Sequence, residues 1–432
     1  MRVLLVSPDR RDVVLARARG APRMKAAFPP LSLLQVAALT PPEVEVEIVD
    51  EAVREVDFAA DCDLVGITAF TSSAPRAYEV ASIFRGRGVP VVLGGMHASA
   101  CPEEALAYCD SVVIGEAEGK WPRLLDDAQQ GRLQRVYGAA QYPELTDNPW
   151  PRRELLRRQD YLVPDTVQAT RGCAHNCSFC SVSSFFGRHI RSRPVESVAR
   201  EVGSLPGRYV VFVDDNIMTA PDYARRLFER LVGSGKRWMG QASTAVIENV
   251  ELTQLAARSG CRALFVGLET LSESALRQVN KGFNAVARFK DLIGRLHDHG
   301  IGVIGAFMFG FDGEDDSVFE RTAEFADEAH IDVPQYSILT PLPGTPLHAQ
   351  MEAEGRIIDR DWSHYDGGHV VFAPRHTSPE KLENGLRSAL QHSYALSDIL
   401  RRLAGLSSRL PAMLALNLAF RQRALRWAAG AR

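Results

Sequence analysis

The chain has 432 residues, 46% of them apolar and 24% charged, with a formal charge of −3. That length can bury the cores of roughly two or three domains, and the near-neutral balance gives no global argument for nucleic-acid binding. No run approaches the roughly 18 consecutive apolar residues of a membrane span, and seven scattered cysteines do not form a disulfide framework.

The opening MRVLLVSPDR lacks a long hydrophobic stretch and a small-residue cleavage site, so it reads as a first strand and not a signal peptide. A cytoplasmic protein is expected. Residues 1–140 alternate strand-like runs (RVLLVSP, VEVEIVD, LVGITAF, PVVLGGMH, SVVIGEAE) with helical ones (LSLLQVAALT, APRAYEVASIFRGRG, PEEALAYC). This pattern predicts an α/β, doubly wound, Rossmann-like domain on a parallel sheet. Ligands in such folds bind beyond the carboxyl ends of the strands. Those ends carry Ser7-Pro8, Thr68, Thr71-Ser72, Gly94-Gly95 with His97, and Gly115-Glu116. Small and hydroxyl-bearing residues there let a flat, bulky ligand come close to the backbone. Cys62, Cys101, Cys109 and Cys261 stand singly in apolar or helical settings and read as packing residues.

Residues 141–164, polar and proline-containing, read as a linker. A second alternating series then runs over 165–366, through TVQATRG, YVVFVDDN, RWMGQAST, CRALFVGLET, GIGVIGAFMFGFD and DVPQYSILTPLPG. Six βα-like units predict a partial (β/α)6 TIM barrel, open on one side, with its chemistry at the carboxyl ends of the strands. The loop RGCAHNCSFC follows the first of these strands. Its Cys173, Cys177 and Cys180, spaced C-x3-C-x2-C, can converge on one soft metal centre. Three thiolates on a four-iron cubane leave one iron open to a substrate or cofactor. The alternative is a zinc site completed by His175 or a distant histidine.

The cysteine loop, with Phe179 just before its last cysteine, resembles the signature of radical S-adenosylmethionine (SAM) enzymes. The likeness continues through FVDDN, GLET, GFD and LTPLPGTP. It implies a [4Fe-4S] cluster whose open iron chelates SAM, and a 5′-deoxyadenosyl radical that abstracts hydrogen from an unactivated carbon. It also implies adenine contact near Phe179 and SAM contacts at Asp214 or Asp215, of which one faces the site. Glu269, Gln241 and Ser243 fall where the methionyl or ribose part would lie.

The order FPPLSLLQVAAL, VEIVDEA, DLVGITAFTSS, VPVVLGGMHAS, SVVIGEAE is similar to the cobalamin-binding domain N-terminal to a subset of these enzymes. Thr68, Thr71, Ser72, Gly94, Gly95, Gly115 and Glu116 are then expected to line the corrin and its tail. No D-x-H-x-x-G motif is present, so base-off cobalamin without a protein histidine ligand is implied, and His97 is expected to cap a helix or touch the tail.

The resemblance implies a cobalamin-dependent methyltransferase acting on an apolar small molecule, with a reductase or flavodoxin-type protein as electron donor. Two alternatives stay open: a non-methylating oxidation, cyclisation or ring rearrangement, and a cobalamin-binding sensor with a structural cluster. Residues 367–432 resemble the helical extension of hopanoid methylases and of tetrapyrrole enzymes such as the anaerobic Mg-protoporphyrin cyclase, pointing to a lipid-like or tetrapyrrole substrate. His364, Tyr365, His369 and Arg375 are expected either to reach that substrate or to close the barrel. The tail from Arg401, whose charged residues are all arginine, reads either as a helix pair packed on its own protein or as a peripheral membrane contact.

Overall fold

The computed structural model describes residues 1–18, 25–138, 141–404 and 410–428. Strands β1 (Arg2–Ser7), β2 (Glu45–Asp50), β3 (Leu64–Thr68), β4 (Val91–Gly94), β5 (Ser111–Val113) and β6 (Val136–Tyr137) form one parallel sheet in the order β2-β1-β3-β4-β5-β6. The edge strand β6 goes unread in the sequence because two residues carry no alternation signal. The other strands are apolar on both faces because helices cover both. Tyr78, Val80 and Phe84 pack on one side, and Leu33, Leu34, Trp121 and Leu124 on the other. The strand order reverses at β1 and β3, which opens a crevice at their carboxyl ends.

The second sheet runs β14-β13-β12-β11-β10-β7 and all its pairs are parallel. Its strands are β7 (Thr166–Val167), β10 (Tyr209–Phe212), β11 (Arg237–Ala242), β12 (Cys261–Glu269), β13 (Gly302–Phe309) and β14 (Val333–Ile338). With β7 and β14 as its edges, it is the expected open, six-stranded barrel. A short antiparallel hairpin, β8 (Thr170–Arg171) with β9 (Arg191–Ser192), stands between β7 and β10. Leu264, Val266 and Val303 face the outer helices, while their neighbours Ala263 and Ile304 face the concave side.

The concave side is filled by the C-terminal extension, whose helices span Pro379–Ser393, Leu396–Leu403 and Leu410–Ala428. The first starts where Ser378 accepts a hydrogen bond from Lys381 N, with Pro379 at its first turn. Leu403, Met413 and Ala424 pack on Ala263, Ile304 and Val333. Arg402 is fully buried, donating to Asp327 Oδ1 at 2.9 Å and to Asn417 Oδ1 at 3.2 Å. The described part of the tail is therefore packed on its own protein through Leu403, Met413 and Ala424, while Leu418 faces outward. Residues 405–409 and 429–432, with the side chain of Trp427, lie outside the described residues. None of the described helices is long and apolar enough to cross a membrane.

Replacing Arg402 by alanine strips Asp327 of its one buried cationic partner, while the exposed Arg401 and His392 still reach it. The expected cost is about 3 kcal/mol, at the low end for breaking a buried pair. A fall in the thermal unfolding midpoint, with faster proteolytic loss of the last helices, measures it.

Candidate functional site

The three cysteines lie in the loop that joins β8 to β9. Its neck is narrow because Gly172 (φ 91°) sits against the opposite side: a Cβ there would stand 2.5 Å from His189 O and 3.1 Å from Gly187 O. A side chain at Gly172 would force the neck apart. Beyond it, Ser178 N donates to Val279 O at 3.0 Å and Leu347 N donates to Ser178 O at 2.9 Å. The loop is thus fastened to two other βα connections. Phe179 packs edge-on to Phe311, with ring centroids 6.3 Å apart.

All three thiols are unpaired. Burial raises each of them, Cys177 to about 11, and the cation of Lys281 opposes that rise. Buried thiols held together in this way become thiolates readily only with a metal to stabilise the charge. Among the described residues, the triplets whose ligand atoms gather within 4.8 Å are His97–Cys101–Glu104 and Asp327–His392–Asp398. Cys173, Cys177 and Cys180 do not make such a triplet. His175 faces away from the role of a zinc ligand, stacked on Phe283 at 3.9 Å with its Nε2 3.3 Å from Ser243 Oγ.

The two adjacent aspartates divide. Asp214 has no exposed surface, and it accepts hydrogen bonds from Ala169 N, Thr170 N and Thr170 Oγ1 at 2.5–3.1 Å. Its expected ligand contact gives way to a structural one, because those donors at the base of the hairpin consume its acceptor capacity. Asp215 points the other way: its Oδ2 is buried without a hydrogen-bond partner. Burial, with Asp214 beside it, pushes the Asp215 carboxyl up to about 7. An orphaned acceptor beside the cysteine loop fits the ammonium group of an amino-acid-derived cofactor.

Ser243 and Glu269 are also committed to protein partners. Ser243 Oγ accepts from Asn216 Nδ2 at 3.1 Å, and Glu269, at φ 70° on a bulge of β12, forms a buried ion pair with Lys281. Gln241 is half-buried near the carboxyl end of β11. Lys281 was not singled out in the sequence, where a lysine in VNKGF looks like a surface residue. Here its ammonium lies 5.9 Å from the centroids of both Phe179 and Phe283.

Facing this loop, a cavity of about 570 Å³ opens at the switch point of the first sheet. Its floor includes Ser7, Thr68, Gly94, Gly95 and Gly115, its apolar wall Leu33, Val36 and Trp121, and its roof Arg171, Phe185 and Phe186. Gly95 has φ 89°, and a Cβ there would come within 2.6 Å of Thr68 Oγ1 and 3.1 Å of the Ala69 backbone. The glycine-rich floor under an apolar wall fits a flat macrocycle.

Three expectations for this cavity are corrected. Residues 71–73 form one 3₁₀ turn, so consecutive side chains diverge by about 120°. Ser73 lines the cavity in place of Ser72, and Thr71 turns inward to His97 Nδ1 at 3.4 Å. His97 is buried, its Nε2 3.0 Å from Tyr78 OH, so it is directed into the domain and not at a ligand tail. Glu116 does border the cavity, but its carboxylate is held by Arg171 at 2.5 Å and Arg191 at 2.6 Å. Of the four extension residues, Tyr365 donates to Asp359 O, His364 pairs with Asp359, and Arg375 pairs with Asp312 and Glu354. His369 lines a cavity of about 280 Å³, and Arg375 borders a far smaller one of about 10 Å³.

With this geometry in hand, the comparisons are specific. The model of the B12 binding domain matches residues 23–125 and that of the Radical SAM superfamily matches 167–326. Over 417 residues the chain is 32% identical to a bacteriochlorophyllide d C-12(1)-methyltransferase of Chlorobaculum tepidum, covering 93% of this chain and 89% of the relative. It is 28% identical to the hopanoid C-2 methylase of Rhodopseudomonas palustris, over 78% of this chain and 67% of that one. The fold matches that of the radical SAM methyltransferase TsrM from Kitasatospora setae, solved with cobalamin and a [4Fe-4S] cluster. That match has a TM-score of 0.70 at 18% identity and covers 100% of this chain and 99% of the other.

Two outcomes follow from the geometry. Asp214→Ala orphans several buried donors and costs on the order of 3 kcal/mol, whereas Asp215→Asn leaves the unfolding midpoint near that of the parent; thermal melts compare them. Gly95→Ala meets both a left-handed backbone and a blocked floor, so the purified protein retains less corrinoid, read from its visible spectrum, while its iron content is unchanged.

Proposed function

We propose, since this chain belongs to the B12-binding branch of the radical SAM superfamily and is a cobalamin-dependent methyltransferase, that its substrate is a flat, largely apolar tetrapyrrole of the bacteriochlorophyllide kind. The observation that carries this reading is the likeness to the bacteriochlorophyllide methyltransferase along 93% of the chain. A second relative from the same organism, a bacteriochlorophyllide d C-8(2)-methyltransferase, is 28% identical over 86% of this chain.

Bound together, the cluster with SAM and the cobalamin supply hydrogen abstraction from an unactivated carbon and the methyl group that replaces that hydrogen. The chain's part is to hold these groups and exclude water. In this reading Cys173, Cys177 and Cys180 hold the cluster, and Asp215 accepts hydrogen bonds from the SAM ammonium through its unpartnered oxygen. Phe179 and Gln241 border the rest of SAM. Glu269 and Lys281 form a compensated ion pair behind the cluster loop. Thr68, Ser73, Gly94, Gly95 and Gly115 bed the corrin, with Arg171 and Phe186 between it and the cluster. A reductase or flavodoxin-type protein delivers the electron.

The test is a reaction of the reconstituted, anaerobically reduced protein with bacteriochlorophyllide d and SAM carrying a deuterated methyl group. The expected product is three deuterium atoms heavier per methyl gained than unlabelled methylation would explain, as read by mass spectrometry. Transfer to a hopanoid in its place, or 5′-deoxyadenosine formed with an unmethylated tetrapyrrole product, overturns the reading.

A further inference from the structure

We propose that a second cavity, of about 280 Å³ at the edge of β14, is a subsite that takes an apolar arm of the molecule being methylated. The inference rests on the substrate reading above and adds to it the place where the substrate is told apart from others.

Three observations converge there. The first is position. Pro8, just past the end of β1, lines the corrin cavity, and Arg10, two residues on, lines this one. The two spaces are neighbours across a single turn of chain. No strand lies beyond β14 in the sheet; the segments after it cover that edge, with Ile338 N donating to Gly367 O and Tyr394 OH to Pro334 O, and the cavity lies between them and the strand.

The second is the origin of its walls. Every lining residue falls outside 23–125 and 167–326, the stretches shared with the two family models. Apart from Arg10, all come from β14 or the segments after it. The cofactor-handling parts are common to the superfamily, whereas this space is built by the part of the chain that those models do not describe. A surface built outside the parts that carry the shared chemistry is where specificity for substrate is expected to reside.

The third is chemistry. One end is apolar, formed by Leu386, Leu390, Tyr394 and Phe420, with Phe420 stacked on Tyr394 at 6.0 Å. The other end is polar and fixed. Asp366 takes the Nδ1 side of His369 at 3.0 Å, accepts from Gly368 N at 2.8 Å and pairs with Arg10. An imidazole oriented through Nδ1 presents its other nitrogen in a set direction, which suits an oxygen function on an otherwise hydrocarbon group. The volume is below the ~300–1,000 Å³ of pockets that hold whole ligands, so it takes an arm and not the ring system.

The experiment titrates bacteriochlorophyllide d into the anaerobic holoenzyme and follows the pigment's absorbance, for the parent, Leu390→Trp and Phe420→Ala. The first variant fills the apolar end and the second removes one wall. Each is expected to weaken binding by about tenfold, the loss of one good apolar contact, and to raise KM with kcat little changed. Corrinoid and iron contents match the parent. If both variants bind as tightly as the parent, the subsite falls while the substrate reading stands. If the parent does not bind the pigment, both fall together. Should the tryptophan variant fail to fold, the Phe420→Ala measurement alone decides.

Discussion

The arrangement depends on one buried ionic junction between the two sheets. Glu116, after β5, receives Arg171 and Arg191, which face each other across the neck of the cysteine loop, and Glu118 receives Arg171 as well. The groups are almost wholly buried, so each is held by the others and not by water. Buried pairs of this kind add little net stability, but they penalise any geometry that separates them. Here that penalty fixes the corrin cavity against the cluster loop. A transfer from one cofactor to a radical made beside another needs such registration, because reacting groups have to meet at near-contact distances.

Around the loop, charge is placed in compensating pairs. Lys281 is nearly inaccessible, and its ion pair with Glu269 makes that tolerable. Asp214 is neutralised in effect by hydrogen bonds from the hairpin base, and that base is what aims the loop out of the barrel. Asp215 is the exception, half-buried, with its buried Oδ2 unanswered by the protein. An uncompensated acceptor inside a folded protein is costly unless a ligand supplies the donor. Asp215 thus keeps an acceptor free, while its neighbour one residue earlier is spent on the scaffold.

Much of the architecture was legible beforehand, for reasons that particular residues make plain. Parallel strands covered on both faces read as apolar runs, as in RVLLVS and YVVF, and the intervening helices show their own period. Cys173, Cys177 and Cys180 were legible because a metal centre demands a fixed spacing within one loop. Glycines at strand ends were legible as a cradle, and Gly95 lies there. Thr71, His97, Asp214, Ser243 and Glu269 find protein partners in His97, Tyr78, the hairpin base, Asn216 and Lys281, and Ser73 lines the cavity where Ser72 was expected. Those partners lie 12 to 45 residues away, and residues 71–73 turn with a 3₁₀ pitch; neither fact leaves a trace in local pattern.

By itself, then, the sequence determined the two α/β layers, their order along the chain and the chemistry of a three-thiolate centre, since periodicity and short spacings are local properties. Tertiary structure decided which of the two adjacent aspartates the hairpin base consumes, how the described part of the arginine tail packs and which segments line the second cavity. Each of those depends on pairing between distant segments: Asp214 with Ala169 and Thr170, Arg402 with Asp327, and β14 with the helices that follow it. A buried polar group takes whichever partner the packed chain brings within hydrogen-bond reach, and burial is settled only when the whole chain has closed.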